Sequence, residues 1–246
     1  TFFVEPGSFT SPLELWATDG TPGGTTRIVP FDVAGGEWLG RLPDGTALVA
    51  AGRNLWRTDG TAAGTQRLNV GVPPHLPVRG TAAVGGRLYY FAGSAVQPAE
   101  IWETDGTAAG SRAVYRLPSG SNLQLEELAH AGARVLVATS SPARALHALD
   151  VGTQSLVQLA ANLPDAPALR TRANAPEYAA FYVGAQVWRS DGTASGTFPL
   201  TSNGSSFDSN SLDPLLAIGP RVLFAFRPGA VSRQLWVTDG SITGTT

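Results

Sequence analysis

Leu15-Trp16-Ala17-Thr18-Asp19-Gly20-Thr21 returns four more times along the chain with little change. The later copies are Leu55-Trp56-Arg57-Thr58-Asp59-Gly60-Thr61, Ile101-Trp102-Glu103-Thr104-Asp105-Gly106-Thr107, Val187-Trp188-Arg189-Ser190-Asp191-Gly192-Thr193 and Leu235-Trp236-Val237-Thr238-Asp239-Gly240-Ser241. Successive tryptophans stand 40, 46, 86 and 48 residues apart. The gap of 86 is two periods, and a decayed sixth copy sits in its middle as Leu146-His147-Ala148-Leu149-Asp150-Val151-Gly152-Thr153. A period in the forties with strand-like content predicts a β-propeller.

The repeat around Trp102 shows what one blade contains. Val78 to Val84 alternates and ends in Gly85-Gly86, which predicts a strand and a turn. Arg87 to Ala92 is a strongly β-prone run, Ala99 to Thr104 carries the Trp, and Ser111 to Leu117 follows the Asp-Gly-Thr turn. Second strands are expected again at Ala47 to Ala51, Arg134 to Thr139, Tyr178 to Val183 and Arg221 to Phe226. Fourth strands are expected at Thr25 to Pro30, Thr65 to Val70, Ser155 to Leu159 and Thr197 to Leu200. Leu123 to Ala131 alone carries some helical periodicity, and it equally reads as loop and strand. The expected fold is all-β: one propeller domain over residues 1–246, with six motif-bearing blades of nominally four antiparallel strands. Thr1 to Glu5 resembles a second strand, and Gly244 to Thr246 stands where a fourth should begin. The chain therefore reads as starting and ending mid-blade, as a piece excised or processed from a longer protein. Unpaired blade edges would then invite self-association.

Composition narrows the function. The formal net charge is -2 with both signs interspersed, so no basic face awaits nucleic acid. No apolar run approaches the roughly 18 residues of a membrane span. There is no cysteine, hence no disulfide and no thiolate metal site. Methionine is absent too, and all 17 basic residues are arginine, as expected of a GC-rich bacterial genome.

The motif reads physically as a turn. Asp accepts hydrogen bonds from backbone amides two or three residues on. The first Gly takes a positive φ. Trp covers the seam between blades, and its indole N–H needs an acceptor. Trp16, Asp19, Trp56, Asp59, Trp102, Asp105, Trp188, Asp191, Trp236 and Asp239 are thus read as structural. One Asp per turn does not supply the 6–8 oxygens that calcium takes. No metal and no cofactor is expected.

These residues resemble the ELWxxDGT repeat of large secreted or surface bacterial proteins, often myxobacterial. Glu14 and Glu100 supply the leading Glu, whereas Asn54, Gln186 and Gln234 depart from it. The resemblance covers essentially the whole chain. It implies a propeller, an extracellular or cell-surface setting, and no catalytic residue to carry over. A weaker similarity links the turn to the Asp-box of sialidase propellers, which is structural there. The arginine trio and Tyr nucleophile of sialidases cannot be assembled here.

Binding residues are expected in the inter-blade loops, about 31–38, 71–80, 118–127, 160–170 and 201–214, at the end of the blades away from the Asp-Gly-Thr turns. The candidates are Asp32, Glu37, Trp38, His75, Arg79, Glu126, Arg170, Asp208 and Asp213, with Asp165 at a comparable place. Trp38 lies outside any motif, where a first strand begins, and His75 sits among prolines; His147 replaces a motif Trp and reads as packing. Neither a Gly-x-Ser-x-Gly elbow nor a phosphate loop occurs. The expected function is a non-catalytic binding or adhesion module for a glycan or protein ligand. A glycoside hydrolase or lyase would instead need two carboxylates from Asp32, Glu37, Glu126, Asp208 and Asp213 to converge. A structural spacer propeller is the third reading.

Overall fold

The computed structural model describes residues 2–5, 13–31, 36–51, 54–70, 80–93, 98–202, 215–226, 232 and 234–246, with no helix among them. Their strands form six antiparallel sheets. The first holds Phe2–Glu5 (β1), Leu13–Ala17 (β2) and Thr26–Phe31 (β3). The second holds Gly36–Arg41 (β4), Ala47–Ala51 (β5), Asn54–Thr58 (β6) and Gln66–Leu68 (β7). The third holds Ala82–Val84 (β8), Arg87–Gly93 (β9), Pro98–Thr104 (β10) and Arg112–Arg116 (β11). The fourth holds Leu125–Ala131 (β12), Arg134–Thr139 (β13), Ala145–Asp150 (β14) and Ser155–Ala160 (β15). The fifth holds Pro167–Asn174 (β16), Ala179–Val183 (β17), Gln186–Ser190 (β18) and Phe198–Pro199 (β19). The sixth holds Leu216–Ile218 (β20), Arg221–Phe226 (β21) and Gln234–Thr238 (β22). Within each sheet neighbours in sequence are neighbours in space, which is the meander of a propeller blade. Thr246 exchanges two backbone hydrogen bonds with Val237, at 2.9 and 3.0 Å, as a fourth strand would.

Three of the expected second strands match residue for residue, and the ambiguous stretch before Ala131 is strand β12. Two compact units, Thr1–Arg116 and Leu117–Thr246, carry three sheets each. In each unit the core lies in the seams between successive sheets.

The Leu-Trp dyad explains the seams. Adjacent strand residues point to opposite faces, so Leu and Trp serve two different neighbours. Leu15 clusters with Val49 and Ala51 of the following sheet, and Trp56 of that sheet packs back onto the same cluster. Leu55 clusters with Leu88, Tyr90, Ala92 and Trp102 of the third sheet. Leu146 clusters with Ala179, Phe181 and Val183, with Trp188 against them. Val187 clusters with Val222, Phe224 and Phe226, with Trp236 against them. In all four seams Leu faces forward and Trp faces back.

A register shift accompanies the dyad in three sheets. Opposite Leu15/Trp16, Ile101/Trp102 and Leu146/His147 the last strand carries one extra residue. Those residues are Ile28, Val114 and Leu159, and all three are buried. The bulge turns one more apolar side chain into the sheet's packing.

Trp102 is buried in the seam between the second and third sheets. Trp102→Ala is therefore expected to cost about 3–5 kcal/mol of unfolding free energy, measured by urea titration.

Candidate functional site

Each motif turn uses up its own polar groups. Asp19 Oδ1 accepts from the amide and the hydroxyl of Thr21, both at 2.8 Å. Thr21 Oγ1 in turn accepts from the Gly24 amide at 3.0 Å. Thr25 Oγ1 donates to the Thr21 carbonyl at 2.7 Å. That donation uses the only hydroxyl proton of Thr25, so the 2.8 Å contact between the Thr18 and Thr25 hydroxyls runs from Thr18. The Gly20 amide then donates to Thr18 Oγ1 at 3.0 Å. Both chains of hydrogen bonds recur around Asp59, Asp105, Asp191 and Asp239. Ser111, Ser190 and Ser241 stand in for Thr because only the hydroxyl is required.

The turn also fixes the spacing to its second glycine. A Cβ at Gly24, Gly64, Gly110, Gly196 or Gly244 would overlap the Asp carboxylate of its own turn. The Thr21 amide and hydroxyl hold the Asp19 carboxyl below the usual carboxylate range. The hydroxyls and amides of Thr61, Thr107 and Ser241 do the same for Asp59, Asp105 and Asp239. At Asp191 burial pulls upward, but the hydroxyl and amide of Thr193 outweigh it. Each of these aspartates thus has its Oδ1 engaged within its own turn.

The motif's leading residue accepts from the tryptophan. Trp16 Nε1 donates to Glu14 Oε2 at 3.0 Å, Trp102 Nε1 to Glu100 Oε2 at 2.5 Å and Trp188 Nε1 to Gln186 Oε1 at 3.2 Å. Gln186 departs from the Glu of the motif yet keeps its acceptor. The other oxygens of Glu14 and Glu100 pair with Arg27 at 2.9 Å and Arg116 at 2.7 Å. Glu103 is only 2% exposed. Its carboxylate meets Arg112 at 2.8 Å and Arg87 at 3.5 Å. Burial, followed by the hydrogen bond to Glu103, pushes the Tyr89 phenol up to about 12. This cluster ties β9, β10 and β11 together and is fully paired.

The fourth repeat breaks the pattern. Leu149 takes the place of the relay Thr, and Val151 that of the first Gly. Only four residues, 151–154, join β14 to β15, against seven, 105–111, between β10 and β11. Asp150 Oδ1 accepts from the amides of Gly152 and Thr153 at 2.9 and 3.0 Å, so a smaller turn survives. Its carboxyl is lowered first by the Thr153 amide and then by the Thr153 hydroxyl.

Beside the shortened turn lies a hollow of about 690 Å³. Leu149, Val151, Val157 and Leu159 give it aliphatic walls, Arg134 and Asp150 give it charge, and Thr193 closes one side. Val157 is 50% exposed. Gly192 rests on the Arg134 side chain, where a Cβ would overlap it, so the fifth repeat's turn fixes the stem of that arginine. The hollow lies at the end of the sheets that carries the motif turns, not at the loop end where sequence reasoning looks. Its sequence signal is the decay of the fourth copy, where Leu149 and Val151 replace Thr and Gly of the motif.

Of the candidate binding residues, Glu37 and Trp38 belong to strand β4, the first strand of its sheet, and Trp38 is 37% exposed. Glu126 and Arg170 likewise lie on strands, β12 and β16, because those strands begin earlier than expected. A register shift at Glu126 lets its carboxylate accept from Ser140 Oγ at 2.5 Å. Asp32, His75, Arg79, Asp208 and Asp213 lie outside the described residues. Asp165, on the segment before β16, stands 3.8 Å from Arg144. Burial lowers the His147 imidazole pKa, so this replacement for a motif Trp packs as a neutral ring. His130, not singled out from the sequence, meets Asn174 at 3.1 Å. Among the described residues no three His, Cys, Asp or Glu side chains gather as a metal site. No helix of the described chain is long and apolar enough to cross a membrane.

No known protein family matches the sequence, and no curated protein matches it. Solved structures do match in fold. A puromycin hydrolase matches over 100% of this chain and 42% of its own, at 18% identity and a TM-score of 0.60. TolB from Acinetobacter baumannii matches over 99% of this chain and 62% of its own, at 12% identity and 0.53. A putative TolB from Agrobacterium tumefaciens matches over 88% of this chain and 82% of its own, at 13% identity and 0.52. The chain thus spans less than half of the hydrolase it matches. Six antiparallel meander sheets and these likenesses define the fold class as a β-propeller.

Asp105→Ala should cost about 1–2 kcal/mol by orphaning donors of its turn. Gly110→Ala should also destabilise, and its cost should shrink in the Asp105→Ala background, where the overlapping carboxylate is gone; a double-mutant cycle by chemical denaturation reads the coupling. The lowered carboxyls set a pH dependence as well. Their contribution is complete above the unfolded value of about 3.9 and is lost as pH falls through the lower folded values. Melting temperatures should therefore be flat from neutrality down to about pH 5 and decline below about pH 4.

Proposed function

We propose that this chain is a non-catalytic binding propeller of the ELWxxDGT-repeat group, working outside the cell, whose ligand is a protein. The observation that carries this reading is the hollow at the fourth repeat. Its volume falls in the range of about 300–1,000 Å³ that ligand pockets occupy. Its aliphatic walls suit an apolar side chain, and the Arg134 guanidinium beside them suits a carboxylate on the same ligand. No aromatic ring is among its lining residues, so it lacks the flat platform on which sugars stack. A protein segment with an aliphatic residue next to Asp or Glu fits this chemistry better than a glycan does.

The test is peptide display panned against the immobilised chain, run beside a glycan array. Enriched peptides should pair an aliphatic residue with an acid. Val157→Arg, which fills the mouth at an exposed position, should weaken their binding by about tenfold or more without lowering the melting temperature. Peptides that bind Val157→Arg as well as they bind the original chain, or enrichment on the glycan array alone, would refute the assignment.

A further inference from the structure

The last strand of the fourth sheet differs from its counterparts. β14 pairs with one edge of β15, and among the described residues no strand pairs with the other. An open edge offers backbone N–H and C=O groups to any extended chain, and proteins ordinarily blunt it with charge, proline or shortness. Other last strands of this protein are blunted in these ways. β3 carries Arg27, and β7 is three residues long with Arg67 in its middle. β11 has Arg112 and Arg116 at its two ends, and β19 is two residues long, one of them Pro199. β15 is Ser155-Leu156-Val157-Gln158-Leu159-Ala160, six residues without a charge or a proline.

That edge borders the hollow. Val157 and Leu159, two apart on β15, both line it, and its other lining residues belong to the fourth and fifth sheets and their turns. A residue added to the edge directly opposite Val157 stands on Val157's face of the sheet, beside the hollow. Alternate residues of the added strand share that face. Arg134 starts β13, and Ser155, opposite Asp150, starts β15, so both lie at the turn end of the sheet. A carboxylate that reaches Arg134 therefore belongs at the Ser155 end of the added segment. We infer that the partner binds as an extended segment that adds a strand to β15, with an aliphatic side chain in the hollow and backbone hydrogen bonds to the open edge. This mode rests on the protein-binding role proposed above for the hollow and adds how the segment is held. Main-chain pairing gives affinity, and the hollow selects the side chain. A helical segment of the same composition has its backbone groups already bonded and leaves the edge open.

The probe is the peptide enriched on the immobilised chain, synthesised as a set in which one backbone amide is N-methylated at each position in turn. N-methylation removes a single N–H donor and keeps every side chain. Affinity should fall by about tenfold or more at every second position of the segment beside β15 and hold at the positions between, because a strand turns alternate amides toward its neighbour. Residue-resolved hydrogen exchange should show alternate amides of residues 155–160 slowed by about tenfold or more when the peptide is bound. N-methylation tolerated at every position overturns strand addition, and so does a loss of affinity without a period of two. Exchange along β15 that stays unchanged in a peptide complex abolished by Val157→Arg overturns it as well. In each of these cases the hollow still binds peptide, so the function proposed above stands. A panning that enriches no peptide overturns both.

Discussion

The seams of this protein depend on one constraint: a sheet packed between two others must be apolar on both faces. The Leu-Trp dyad meets it with two consecutive residues. Leu closes the forward seam and Trp the backward one. The tryptophan is bulky, and the sheet that faces Trp188 is rich in alanine, with Ala129, Ala138 and Ala148 in the seam. The dyad also explains the bulge on the last strand, which supplies Ile28, Val114 or Leu159 where strict alternation would turn a side chain outward.

The turn after the dyad holds the seams in register. Its hydroxyls and carboxylate pass hydrogen bonds in series, an arrangement in which each bond polarises the next. It also reaches the preceding sheet. A Cβ at Gly106 would overlap Leu42, one at Gly192 would overlap Arg134, and one at Gly240 would approach Tyr178 too closely. Arg189 adds a direct tie by donating to the Gly240 carbonyl at 3.0 Å while its guanidinium lies 5.0 Å from the Tyr178 ring. A positive φ of 83 to 98° at Gly20, Gly60, Gly106, Gly192 and Gly240 excludes most other residues from this corner. Conformation and close packing therefore demand the same residue.

Much of this fold is legible in the sequence because the repeat is periodic and its strands are short and uniform. Ala47–Ala51, Arg134–Thr139 and Arg221–Phe226 can be bounded from turn residues and β-branched or aromatic runs alone. The bulges cannot, since Ile28 and Leu159 simply look like members of an apolar stretch. The last hydroxyl of the relay, on Thr25, Thr65, Ser111, Thr197 or Thr245, escapes notice because its partner lies seven residues back across a hairpin. Site residues are harder still. Trp38 reads as the start of a first strand and Glu126 as loop or strand, but Arg170 looks like a loop residue, yet each sits on a first strand. A polar side chain at a strand end satisfies the same composition cues as one in a loop, and only pairing separates the two.

A repeat that satisfies all its own groups has nothing to offer a ligand. Where the motif is intact, its carboxylate, hydroxyls and amides bond to one another, and its apolar dyad is buried by its neighbours. Recognition must then sit where the repeat departs from itself. The described structure shows such a departure in the fourth repeat. There Leu149 and Val151 cannot build the relay, the hairpin contracts, and the space it leaves becomes an aliphatic hollow beside an arginine. The logic that makes the interior uniform thus also determines where a repeat can bind.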